Sequence, residues 1–68
     1  MPEDVRAQIQ KLLVTGDNRL KQGVRADKVR ETYEQALALA REAGLEDVIR
    51  PLVEARLADV DRLAAPEA

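Results

Sequence analysis

Residues 28–44 read KVRETYEQALALAREAG, and this stretch decides the fold class. Placed at 100° steps, Val29, Tyr33, Ala36, Leu37, Ala40 and Ala43 fall on one side, which is the period of an amphipathic α-helix. Alanine recurs along that side, so a second helix axis can approach closely. Gly44 is the expected stop of a helix over Lys28–Ala43, because glycine takes the left-handed conformation at a helix end without penalty. Asp27 is the expected N-cap, its carboxylate accepting a free backbone N–H of the first turn.

The flanking segments carry the same period. On the N-terminal side, a helix from about Pro2 to Gln22 gathers Val5, Ile9, Leu12, Leu13, Gly16 and Leu20 into one stripe and leaves Val14 exposed. Pro2, Glu3 and Asp4 suit its start, where a missing N–H is harmless and carboxylates favour the helix dipole. Gly16 lies on the apolar face at a propensity cost of about 1 kcal/mol, so its expected use is close approach of a neighbouring helix. Gly23 is the predicted end of this helix. On the C-terminal side, Leu45 acts as a staple and Glu46 and Asp47 supply N-terminal acids, with Pro51 expected in or near the first turn. The third stripe is Leu45, Ile49, Leu52, Val53, Leu57, Val60 and Leu63. It ends near Ala65, and residues 66–68 fray. Strand-like alternation appears nowhere. The expected fold is therefore all-α, with residues 1–68 as a single domain in an antiparallel, up-down-up three-helix bundle.

Composition narrows the function classes. The chain of 68 residues has no Cys, His, Trp or Phe, and Tyr33 is its one aromatic residue. A domain of this size buries only about 60% of its unfolded surface, so a core of Leu, Val, Ile and Ala is marginal on its own. Without Cys or His, neither a disulfide nor a Cys/His metal site adds to it. Serine is absent too, and Thr15 and Thr32 are the only threonines, which removes the usual nucleophile–base pairs. The densest acidic clusters have structural uses: Glu46-Asp47 caps a helix, and Asp59 and Asp61 belong to a solvated face. The three glycines form no phosphate loop. A non-enzyme with no metal and no cofactor is expected.

No apolar run is long enough to span a bilayer, and the N-terminus is not a signal peptide. A soluble, cytoplasmic protein follows as the expectation. Frequent Arg and Ala point to a GC-rich bacterial genome.

The stretch from Gly16 to roughly Leu63 resembles the tetratricopeptide repeat family. The residues that carry the likeness are Gly16-Asp17 and Leu20, Gly23 at the turn, then Tyr33-Glu34-Gln35-Ala36-Leu37 with Ala38-Leu39-Ala40. The likeness implies a helix pair used as an interaction scaffold, with Gly16 at a close helix contact and Tyr33 and Ala36 on the inner side of the second helix. Glu46 to Leu63 then corresponds to a cap or to the first half of another unit. The sequence departs from the pattern in four places. The Gly23–Tyr33 gap is one residue longer, Val29 stands for the early alanine, Leu12 stands for the large aromatic before Gly16, and the closing proline is missing.

Charge suggests where a partner binds. The net charge of −2 divides into +4 over residues 11–30, −5 over residues 31–68 and −1 over the first ten. The basic excess gathers around the first turn. Arg19, Lys21, Arg25 and Lys28 are accordingly the candidate partner-binding residues, steering an acidic protein segment into a groove between the first two helices. Arg56 joins them from the middle of the third stripe. Its stem is expected to pack while its guanidinium reaches water, or else it lines a pocket and takes a partner's carboxylate. Self-association as a homodimer is the alternative function. Nucleic acid is the weakest of the three partners, since interleaved aromatics and a strongly basic total are missing.

Overall fold

The computed structural model describes residues 4–64, and side chains as far as residue 62. The expected start at Pro2 and Glu3, the side chain of Leu63, Ala65 and the 66–68 tail lie outside the described residues. Three helices follow one another: α1 (Val5–Lys21), α2 (Ala26–Glu42) and α3 (Glu46–Ala64). The short turns reverse the chain twice, so the fold is an all-α antiparallel bundle in which α1 packs on α2 and α2 packs on α3. No helix among the described residues is long and apolar enough to cross a membrane.

The helix ends show why the boundaries fall where they do. Asp4 is extended and its carboxylate accepts the Arg6 N–H at 3.0 Å, so it is the N-cap of a helix that begins at Val5. Both turns are Schellman motifs. At the first, Val24 N–H donates to Arg19 O at 3.0 Å and Gly23 N–H to Leu20 O at 3.3 Å. At the second, Leu45 N–H donates to Ala40 O at 2.7 Å and Gly44 N–H to Arg41 O at 3.2 Å. Gly23 and Gly44 hold φ of 79° and 73°, the left-handed values this motif demands.

Three expectations are corrected here. Helix α2 starts at Ala26, with Arg25 as an N-cap that makes no side-chain cap bond, so Asp27 lies inside the first turn. The Arg25 carbonyl accepts from Lys28 N–H at 3.0 Å and Val29 N–H at 3.1 Å, so the helical ladder already starts there. Ala43 is the exposed C-cap residue, not an inward position. Pro51 is the sixth residue of α3, past its first turn, and its missing N–H leaves the Asp47 carbonyl without an intrahelical donor.

The core centres on α2, which contributes Val29, Tyr33, Ala36 and Ala40. Ile9 and Leu13 of α1 meet it from one side, Val53 and Val60 of α3 from the other. The spacing of the α2 residues draws one stripe, and α1 and α3 straddle it. Tyr33 fills the middle and is fully buried. A Cβ added to Gly16 would stand 2.4 Å from Tyr33 Cε1, so the glycine is there because the ring occupies the space of a side chain. Thr32 is the one buried polar residue among those described. Its hydroxyl donates to Lys28 O at 3.0 Å and accepts from Arg19 Nη1 at 2.8 Å.

Candidate partner-binding groove

Because α1 and α3 each follow α2 and hardly touch one another, their facing sides leave an open groove of about 290 Å³. The alternating direction of the bundle makes α1 and α3 parallel. The groove therefore runs between the first half of α1 and the first half of α3, from Arg6 to Val14 on one wall and from Leu45 to Arg56 on the other. The predicted position is between the first two helices, where Gly16 of α1 lies directly against the Tyr33 ring of α2.

The lining is aliphatic. The buried Ile9 and Leu13 form its floor, and Val14, Val48 and Leu52 line it with 51, 66 and 44% of their surface open to solvent. These three are the exposed large hydrophobics among the described residues, and all of them fall in this groove. Scattered apolar residues on a surface are ordinary, whereas a contiguous set rimmed by polar groups marks an interaction site. Val14 is exposed as its place off the α1 stripe implies. Leu52 was assigned to the inward stripe of α3, and the open groove beside it leaves it outside.

A cation stands at each end. Arg6, at the outer end, is exposed and has no ion-pair partner among the described residues. Arg56, at the inner end, is half-buried: Nε donates to Asp17 Oδ1 at 3.2 Å and Nη1 to Leu52 O at 3.3 Å. Tyr33 Oη donates to that same Asp17 oxygen. One carboxylate of α1 thus collects a phenol from α2 and a guanidinium from α3, and fixes where Arg56 points. Burial, and then the Asp17 hydrogen bond, hold the Tyr33 phenol protonated well above its ordinary range. Of the two sequence expectations for Arg56, the groove-lining position is the one the structure shows. The carboxylate that Arg56 meets is the chain's own. Among the described residues no carboxylate lines the groove.

Comparison of the chain with protein families, with curated proteins and with solved structures returns no match.

The other predicted binding residues lie elsewhere. Arg19, Lys21, Arg25 and Lys28 cluster at the α1–α2 turn, at the opposite end of the bundle from the outer mouth of the groove. Two of them are engaged within the chain: Arg19 with Thr32, and Arg25 with Asp27 at 3.3 Å. The acidic clusters are engaged as well. Glu46 accepts from Arg41 at 3.1 Å and pairs with Arg50, clasping the α2–α3 turn, and the Arg41 hydrogen bond holds its carboxyl below the usual range. Asp61 pairs with Arg30 across helices and Asp59 with Arg62 along α3. Among the described residues no three or more acidic side chains come together to hold a metal ion.

Sequence reasoning missed Arg6 and Val48. The signal was present as apolar residues lying beside the stripes, not on them. It becomes legible only once α1 and α3 are known to be parallel neighbours.

Proposed function

We propose that this chain is a non-catalytic protein-interaction module that takes an acidic segment of another protein in the α1–α3 groove. The observation that carries the reading is that, among the described residues, every exposed large hydrophobic falls in one groove whose charged lining residues are both arginines. The tetratricopeptide likeness supports it through the Gly16–Tyr33 contact, which has the glycine and the aromatic where a paired helix packs closely. The free lysines of the basic turn, Lys21 and Lys28, add long-range attraction for an acidic partner, an effect that salt screens.

Pairing of two copies groove to groove is the less favourable occupancy. A two-fold contact places the same patch on both sides, so the groove arginines oppose one another, and the Asp17 carboxylate is already held by Arg56 and Tyr33.

A photoreactive residue at position 48 tests the proposal, with position 35 on the exposed face of α2 as the control. The expected result is crosslinking from position 48 alone to segments rich in Asp and Glu, identified by mass spectrometry. Crosslinks to basic or neutral segments, to another copy of the chain, or equally from position 35 would overturn it.

A further inference from the structure

We infer that the groove is built for a short amphipathic α-helix bearing a carboxylate near each end, an inference that rests on the interaction-module reading and specifies its partner. Three observations lead there. The first is length. At 1.5 Å per residue the two walls span roughly 12 to 17 Å, the length of a helix of roughly 8 to 11 residues.

The second is hydrogen bonding. An extended peptide lying on this floor would bury backbone N–H and C=O groups against aliphatic side chains, and each would need a partner. Among the described residues Gln10, Arg6 and Arg56 are the polar members of the lining, and there is no sheet edge to pair with a strand. A helix satisfies its own backbone and presents only side chains, which is what such a lining can receive. Val48 and Leu52, one turn apart on α3, form one exposed aliphatic wall and Val14 of α1 the other, over a floor of the buried Ile9 and Leu13. Apolar side chains at i, i+3 or i+4 and i+7 of a seated helix fall between these walls.

The third is charge. Arg6 marks the outer end and Arg56 the inner end. The Arg56 Nη2 has no partner among the described residues, while Nε is held by Asp17. A carboxylate near each end of the seated helix meets both cations. A basic helix of the same apolar pattern would meet only repulsion.

The test uses helix-locked peptides, because a free peptide of about three turns is scarcely helical in water. One carries leucines at i, i+4 and i+7 with glutamates at both ends. A second replaces the glutamates by lysines, and a third holds the acidic sequence extended with prolines. Amide chemical-shift mapping on the full chain reads where each binds. The expected result is saturable binding of the acidic helix, with shifts confined to residues 6–14 and 45–56. The lysine and extended versions should bind at least about tenfold more weakly, and Val48→Asp should weaken the acidic helix by a similar factor. Equal binding of the lysine peptide, tighter binding of the extended one, or no saturable binding would overturn the inference. Shifts at residues 19–28 instead would also overturn it, while leaving the acidic-partner reading intact.

Discussion

Tyr33 carries more of this structure than any other residue. Its ring fills the centre, occupies the space a side chain at position 16 would take, and sends its hydroxyl to Asp17. Gly16→Ala gains about 1 kcal/mol of helix propensity but forces a methyl into the ring, and overpacking of this kind costs about 1–3 kcal/mol. The expected outcome in urea denaturation is a net loss in the wild-type background and a net gain in a Tyr33→Leu background, where the ring is gone. The phenol gives a second test. Its pKa is raised in the fold, so the unfolded chain releases the proton first. The stability it contributes is complete below about pH 10, the unfolded value, and drains away as pH rises toward the folded one. As the sole tyrosine, it should titrate late in ultraviolet difference spectra. Tyr33→Phe should lose about 1 kcal/mol at neutral pH and abolish the alkaline dependence.

At the scale of elements, the helix caps and the proline give contrasting outcomes. Asp4→Ala removes a true N-cap and should cost about 0.5–2 kcal/mol, whereas Asp27→Ala should cost less, since Asp27 lies within the first turn of α2. Pro51→Ala should stabilise by about 1–2 kcal/mol: it removes an interior helix penalty of about 3 kcal/mol, partly offset by a freer unfolded chain. Thermal melts of the three variants check the order. Period and glycine spacing made the three helices legible, because one stripe of apolar residues and one glycine per turn leave few alternatives. The start of α2 was not legible, since Asp27 is a good cap by type and only the bonds from Lys28 and Val29 N–H to the Arg25 carbonyl show that the helix begins before it. The hydrogen bond that Thr32 accepts was likewise hidden, because its donor, Arg19, lies on another helix.

At the scale of the whole molecule, what matters is which helices are neighbours. The basic turn could be read from charge alone, but the groove could not, since Val14, Val48 and Arg6 become one surface only when α1 and α3 lie side by side on α2. The aliphatic groove rimmed by Arg6 and Arg56 is the central claim, and it requires that the face stay open to a different protein. Sedimentation equilibrium from micromolar to millimolar concentration, on the wild-type chain and on Val48→Asp, tests this most directly. The account expects both to sediment as monomers throughout, with the substitution leaving stability within about 0.5 kcal/mol because position 48 is exposed. A wild-type dimer that Val48→Asp dissolves would show that a second copy fills the groove, and would contradict it.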